Sequence, residues 1–196
     1  MQTYIDKAGI DTLREVIGQN IQSITAENWK KFNRSYGNLL IQTSKKLFVI
    51  DNDYRVVSRF GDEEEIAGFS VSSLDKKEDF IPSVLQNQLL TEKTNELILS
   101  VCVVRDKITV KFIDNRPDEI HIIDQAIIFI FEKYEWLIGQ SSWMTPMTKM
   151  LFGNDLISQI PNVETVAREW TDEAESPDHP IVEYQATVDR DIIQLN

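Results

Sequence analysis

Few side chains in this sequence have the type and spacing that catalysis or cofactor binding requires. The chain has one cysteine, Cys102, and two histidines, His121 and His179. A single cysteine excludes an intrachain disulfide framework and a cysteine-based zinc cluster, and two histidines are too few for a histidine-rich metal site. Cys102 lies in the apolar run 97–104, which predicts a small buried thiol. We therefore predict no catalytic residue, no cofactor and no metal ligand.

Carboxylates are the remaining reactive groups, and the sequence contains 32 of them. It has no GxGxxG, Walker, GxSxG or HExxH motif, and these patterns signal dinucleotide, phosphate, acyl-transfer and zinc chemistry. His121 and Asp124 stand three residues apart, a spacing more typical of a solvated or second-row contact than of a catalytic dyad. Residues 62–65 are all acidic, which is typical of a solvated turn. A carboxylate-dependent, hydrolase-like enzyme, with a divalent metal or without one, stays open because a sequence does not show how far apart its acids lie in space.

The charge balance gives a broader indication of function. The chain carries 20 basic and 32 acidic side chains, for a net charge of −12 at pH 7. This excess of negative charge argues against nucleic acid and anionic membranes as partners, because phosphate binding needs clustered lysine and arginine. The negative charge favours a basic protein partner, since opposite charges steer association and an acidic surface can cover a cationic active site.

The sequence also lacks the apolar segments that direct proteins to membranes. Residues 1–10 contain no apolar core of a secretory signal. The longest unbroken apolar run, 126–131, is far shorter than the roughly 20 residues that span a bilayer. We expect a soluble, cytoplasmic protein.

The hydrophobic pattern predicts an α+β fold, with an antiparallel sheet of about five to seven strands and helices packed on one face. Apolar residues at intervals of three and four predict an N-terminal helix over 10–24. Polar pairs at Asp51–Asp53 and Arg105–Asp106 predict hairpin turns. The remaining predictions are strands over 39–43, 47–50, 54–60, 66–71, 97–104 and 107–113, helices over 82–90, 145–152, 155–160 and 163–170, and an edge strand over 182–188.

The segment 118–138 carries the sharpest structural prediction. A proline precedes it, two acids begin it, a glycine follows it, and a broad apolar stripe runs through it, all of which is typical of a long helix. On such a helix Ile122, Phe129 and Trp136, each seven residues from the next, form a second apolar line on the opposite face. This line is either covered by the segment 143–170 or forms a homodimer seam or partner groove, where an aromatic anchor is typical.

These observations predict a single α+β domain over 1–170 and an acidic extension over 171–196 that carries seven acids against one base. The leading hypothesis is a non-catalytic cytoplasmic binding protein, specifically an acidic inhibitor or immunity-type protein that masks a basic partner such as a bacterial toxin. The alternatives are the carboxylate-dependent enzyme and a structural subunit of a larger assembly. The predicted partner contacts are Ile122, Phe129 and Trp136 in the apolar line and Asp172, Glu173 and Glu175 in the extension.

Overall fold

The computed structural model of the chain describes residues 3–27, 29–31, 33–59, 62–83, 88–112, 116–172 and 184–196. Strands dominate these residues. The helices are α1 (Lys7–Glu15) and α2 (Val163–Asp172). The strands are β1 (Asn20–Glu27), β2 (Arg34–Tyr36), β3 (Leu39–Thr43), β4 (Leu47–Arg59), β5 (Asp62–Leu74), β6 (Leu89–Leu97), β7 (Ser100–Phe112), β8 (Glu119–Ile130), β9 (Glu135–Ser142), β10 (Thr145–Gly153) and β11 (Tyr184–Leu195).

The strands form two antiparallel sheets that share one core. Sheet A has the order β5-β4-β3-β1-β6, and sheet B has the order β11-β7-β8-β9-β10-β2. Buried side chains of sheet A, such as Ile41 and Phe48, belong to the same apolar cluster as Val103 and Ile127 of sheet B. The predicted α+β class is therefore consistent with the structure, but the prediction of five to seven strands was too low because two sheets are present rather than one.

The segment 118–138 is a β-hairpin and not a helix. β8 pairs with β9, with Ile130 opposite Glu135, and residues 131–134 connect them. The prediction failed because β8 is buried on both faces: Ile127 packs into the core between the sheets, while Ile128 packs into a cluster with Leu156. A strand buried on both faces has no alternating polar positions, so its apolar residues also satisfy the helical period.

The predicted N-terminal helix over 10–24 spans two different elements. α1 ends at Glu15, Gly18 adopts a positive φ of 77°, and β1 begins at Asn20. Positive φ favours glycine, which lets the chain reverse here. Ile21 and Ile24 seemed to continue the helical period of α1 because β1 packs against the same apolar core as α1.

Two predicted turns lie within uninterrupted strands. Residues 51–53 belong to β4 and residues 105–106 to β7, each of which is 13 residues long. The predicted helix over 145–152 is part of β10, and that over 155–160 contains a 3-10 helix at Leu156–Gln159. Of the predicted helix over 82–90, residues 84–87 lie outside the described residues and Leu89 and Leu90 belong to β6.

Other predictions are confirmed. β3 occupies the predicted residues 39–43, and α2 contains the predicted helix 163–170. β11 is an edge strand of sheet B, as predicted, although it runs from Tyr184 to Leu195. Residues 184–195 of the predicted acidic extension thus pair with β7, and the domain boundary after residue 170 stays a prediction. In the described part of the chain, neither helix has the length and apolar character needed to cross a membrane.

Two buried ion pairs on β7 explain why Arg105 and Asp106 are not a turn. Arg105 forms a two-pronged pair with Asp124 of β8, with Nε–Oδ1 and Nη2–Oδ2 distances of 2.6 and 3.0 Å. Asp106 forms an equivalent pair with Arg190 of β11, with both N–O distances at 2.7 Å. Both carboxylates are fully buried. Because neighbouring residues of a strand point to opposite faces, the two pairs lie on opposite sides of sheet B.

Each ion pair also holds a segment outside the sheet. The Ile5 N–H donates to Asp124 Oδ2 at 2.6 Å, and Arg105 Nη2 donates to the Ile5 carbonyl oxygen at 2.9 Å. On the other face, Arg190 Nη1 donates to the Pro161 carbonyl oxygen at 2.7 Å. A one-residue shift in the register between β7 and β8, which leaves Gln125 without a counterpart, turns Asp124 to the same face as Arg105. The pairs therefore fix the N-terminal segment and the α2 connection to sheet B.

Replacement of Asp124 by alanine should destabilise the fold by about 3–5 kcal/mol, because it leaves the Arg105 guanidinium buried without its counter-charge. Urea unfolding measures this change in the free energy of unfolding. Asp75→Ala is the matched control, since Asp75 is exposed just after the end of β5, and we expect it to change stability by less than about 0.5 kcal/mol. Equal effects of the two variants would contradict the structural role of the Arg105–Asp124 pair.

Candidate functional site

A row of aromatic rings crosses sheet B and reaches the molecular surface. Phe129 of β8, Trp136 of β9 and Phe152 of β10 lie opposite one another in register, with neighbouring ring centroids 5.4 and 5.6 Å apart. Trp29, in the 3-10 helix Trp29–Lys31, stacks on Phe152 at 5.5 Å. We call these four rings the aromatic row. Phe152 is 45% exposed, whereas the other three are buried, so the row connects the core to solvent at Phe152.

A pocket of about 300 Å³ opens beside Phe152, between the inner face of β6 and the rings from sheet B. We call it the aromatic pocket. Its lining residues are Ile21, Ile24, Trp29, Lys30, Glu92, Thr94, Glu96, Phe131, Tyr134, Trp136 and Phe152.

The alternation of β6 places acidic groups in this apolar setting. Glu92, Thr94 and Glu96 are half-buried and line the pocket, while the residues between them, such as Lys93, are exposed. β6 is an edge strand of sheet A, and inward-pointing charges are a common way to keep an edge strand from pairing with other chains. The two carboxylates thus have a structural reason to be present, and they also give the pocket a negative charge.

One lysine of the chain already interacts with this charge. Lys30 Nζ lies 2.8 Å from Glu92 Oε1 and 5.9 Å from the centroid of the Trp29 ring. The Lys30 side chain is 53% exposed, so it lies at the solvent side of the pocket. Among the described residues, no cation forms an ion pair with Glu96. Within the described residues, Glu96 is therefore a pocket carboxylate whose charge has no ion-pair partner.

The pKa of Tyr134 responds to this environment. Burial raises the pKa of the Tyr134 phenol, the negative charges of Glu96 and Glu92 raise it further, and a hydrogen bond with the Thr94 side chain partly offsets the increase. Burial and the two carboxylates both disfavour a further negative charge in the pocket. The pocket therefore disfavours anions and should attract cations.

Three buried polar atoms of the lining residues have no hydrogen-bond partner within the described part of the chain. They are Trp29 Nε1, Trp136 Nε1 and Glu92 Oε2. Indole nitrogens donate and carboxylate oxygens accept, and buried polar groups in proteins are normally paired. These three atoms are enclosed in the walls of the pocket, so they offer no exposed donor or acceptor to a ligand.

A second polar and aromatic cluster holds α2 against the sheets. The Arg59 guanidinium lies 4.6 Å from the Trp143 ring centroid and 4.7 Å from that of Trp170, and its Nη1 is 2.9 Å from Glu64. His121 lies 4.9 Å from Trp170, and burial lowers the pKa of its imidazole. Arg59 is almost fully buried, so this cluster is a packing contact between the β4–β5 hairpin and α2.

The residues of the predicted apolar line do not form an exposed surface. Phe129 and Trp136 are fully buried neighbours across the β8–β9 hairpin. Ile122 lies elsewhere on β8, and its carbonyl oxygen accepts a hydrogen bond from Thr3 Oγ1. The helical line was wrong because the segment is a hairpin. Phe129 and Trp136 face each other across a short turn, whereas Ile122 and Phe129 lie seven residues apart along the same strand. Trp136 does belong to a candidate site, but as a wall of the aromatic pocket.

The acidic residues predicted to contact a partner fall at the end of the described chain. Asp172 is the last residue of α2, and Glu173 and Glu175 lie outside the described residues. Their contact with a partner stays a prediction.

The other chemically notable residues are distributed over the fold. Cys102 is buried, as predicted, and burial raises the pKa of its thiol. His121 and Asp124 are both buried, on opposite faces of β8, so the prediction that they form a solvated pair was wrong. In the parts of the chain that the structure describes, no three histidine, cysteine or acidic side chains come together in a way that could hold a metal ion.

Sequence reasoning missed most of the aromatic pocket. Trp29, Glu92 and Phe152 come from distant parts of the chain, and each looks unremarkable in its own segment. The alternation of 91–96 was the available signal, since an acid at every second or fourth position of a strand puts charge on one face. It was missed because the sequence pattern predicted a helix over 82–90 and a strand from residue 97, and no element between them.

Comparisons with family models, with curated proteins and with solved structures find no match to this chain.

The raised pKa of Tyr134 predicts a specific loss of stability at high pH. Above pH 10, phenols of the unfolded chain lose their protons, whereas Tyr134 in the folded chain keeps its proton. The unfolded state then binds fewer protons, so the free energy of unfolding falls as pH rises from about 10 towards the folded-state pKa. Urea unfolding between pH 8 and 11 should show this fall in the wild type relative to Tyr134→Phe.

The same measurement has an internal control. Glu96→Gln removes a charge that raises the pKa of Tyr134. In the Glu96→Gln background, Tyr134→Phe should therefore change the high-pH fall in the free energy of unfolding by less than it does in the wild type. Parallel pH profiles for the wild type and Tyr134→Phe would show that the pocket does not disfavour the phenolate.

Proposed function

We propose that this protein is a non-catalytic binding protein, an inhibitor of the immunity type, that masks a basic protein partner by taking a cationic side chain of that partner into the aromatic pocket. The observation that carries the proposal is the presence of Glu92 and Glu96 in a pocket walled by aromatic rings. We place the protein in the cytoplasm and name a basic bacterial toxin as the kind of partner it would mask.

The chemistry of the pocket supports a cation as ligand. Aromatic faces attract cations because their quadrupole is negative above the ring, with a contribution of about 0.5–2 kcal/mol that grows as water is removed. Carboxylates add charge-assisted hydrogen bonds, which are about twice as strong as neutral ones. The interactions of Lys30 with Glu92 and Trp29 are an intramolecular example of the same contact.

The apolar walls of the pocket support a polypeptide side chain as the source of that cation. A lysine or arginine side chain brings the positive charge, and its alkyl stem suits the apolar walls. The net charge of −12 would steer a basic protein towards the molecule. The predicted contacts Asp172, Glu173 and Glu175 would contribute to this long-range attraction.

Small neutral and charged probes test the pocket directly. N-acetyl-lysine N-methylamide and its arginine counterpart should bind and shift the indole N–H signals of Trp29 and Trp136 in NMR spectra, whereas the norleucine analogue, which has the same stem without the charge, should not. Glu92→Gln and Glu96→Gln should each weaken binding about tenfold, equivalent to about 1.4 kcal/mol, because each removes a charged acceptor.

Two further variants make this test specific. Lys30→Met should strengthen binding, because the probe no longer competes with Lys30 for Glu92. Glu78→Gln removes an exposed carboxylate in the 3-10 helix Lys77–Asp79 and should leave the affinity unchanged. Equal binding of the lysine and norleucine probes, or an equal loss in Glu78→Gln, would show that the pocket does not recognise cations.

Capture of the partner from the source cell tests the proposed inhibition. The wild-type protein should retain a basic protein at low salt and release it as salt screens the attraction. The double variant Glu92→Gln, Glu96→Gln, used as a matched bait, should retain much less of it. Retention of no protein, or of the same protein by both baits, would contradict the proposal that the pocket binds the partner.

A further inference from the structure

The free edge of β6 runs directly along the aromatic pocket. β6 pairs with β1 on one side, from Asn20 opposite Leu97 to Glu27 opposite Leu89. On its other side, no strand from the described parts of the chain pairs with it. In an antiparallel sheet every second residue of an edge strand directs its N–H and carbonyl groups away from the sheet. β6 therefore presents backbone donors and acceptors beside the pocket.

We propose that an extended segment of the partner adds to sheet A as a sixth strand beside β6, with two basic residues four positions apart facing Glu92 and Glu96. This inference rests on the proposed function, because it specifies how the cation reaches the pocket. Addition of a strand to a sheet edge is a common mode of peptide recognition, in which main-chain hydrogen bonds supply affinity and alternate side chains supply specificity.

The spacing of the basic residues follows from strand geometry. Glu92 and Glu96 lie on one face of β6, since both are half-buried and line the pocket, although the register of β6 against β1 shifts between Lys93 and Glu96. Four residues of a strand span about 13 Å. Side chains directly opposite on a neighbouring strand have Cβ atoms about 5 Å apart, and opposite charges in this arrangement attract. A partner strand thus meets both carboxylates with basic residues at positions i and i+4. Position i+2 faces Thr94, whose hydroxyl suits a small or polar residue.

Charge selects this occupant over others. The inner face of β6 carries two acids, so a second β6 beside the first would bring four carboxylates together, and like charges opposite each other disfavour pairing. A basic segment removes this repulsion and also covers Phe152, which is 45% exposed at the pocket. The edge is therefore closed to a second copy of this chain and open to a basic strand.

Two peptides of identical composition test the inference. Both are acetylated, amidated heptapeptides of threonine with two lysines; one has lysines at its second and sixth positions, and the other at its second and fifth. In a strand the first peptide places both lysines on one face, whereas the second places them on opposite faces. Calorimetric titration should show the first peptide binding at least about tenfold more tightly, and both at equal affinity would overturn the inference.

Hydrogen exchange measured by NMR supplies the second readout. The first peptide at saturation should slow exchange at alternate amides of β6, namely those that do not bond to β1, while a single-lysine amide should leave the exchange of β6 unchanged. Binding of the single-lysine probe without alternate protection by the peptide would overturn the strand addition and leave the cation pocket intact. No binding of either probe would overturn the proposed function itself. Concentration-dependent dimerisation with the same protection in the absence of peptide would assign the edge to a second copy.

Discussion

The two ion pairs on β7 are the constraint on which the rest of the structure depends. Arg105 and Asp106 stand next to each other in a strand that is buried on both faces, so each must find an opposite charge on its own side of the sheet. A slip of one residue would exchange the two faces and leave both charges without partners. The pairs therefore fix the register of β7 against β8 and β11. On its other side β8 pairs with β9, where Phe129 lies opposite Trp136 and begins the aromatic row that forms the wall of the pocket.

The aromatic pocket lies between the aromatic row and β6, an edge strand that could otherwise pair with strands of other proteins. The aromatic row is held in register by the backbone of three neighbouring strands, so the pocket wall is formed before any ligand binds. β6, in contrast, ends its sheet, and Glu92 and Glu96 protect this edge because any uncharged or acidic strand would bury them without compensation. The same two charges that reject most strands can accept a basic one. Protection against unspecific pairing and selection of a specific partner thus come from one pair of residues.

The errors of the sequence analysis share a physical cause. α2 was predicted correctly because it has one solvated side and therefore a regular helical period. β3 is buried on both faces, but its apolar run is too short for a helix and is bounded by turn residues, so its length indicated a strand. β8 was mistaken for a helix because both of its faces are buried, and the register shift at Gln125 further disturbs the alternation of its side chains. Arg105–Asp106 was mistaken for a turn because charged residues inside a strand look exposed until their partners, Asp124 and Arg190, are known. Of the candidate site, the sequence singled out Trp136 but not Trp29, Glu92 or Phe152, since these meet only through the pairing of distant strands.

The overall charge and the pocket act over different distances, and this separates their roles in binding. At physiological salt the Debye length is about 8 Å, so most of the 32 acids act on a partner during approach and not after contact. Charge of this kind accelerates association with any basic protein and discriminates little between them. Glu92 and Glu96 act at contact, next to rings that exclude water. There a misplaced cation forms no ion pair, whereas two correctly spaced basic residues interact with both carboxylates. Affinity differences between related complexes arise mostly from dissociation rates, so recognition of one partner among many basic proteins depends on the pocket and its edge strand, while the net charge determines how fast the partner arrives.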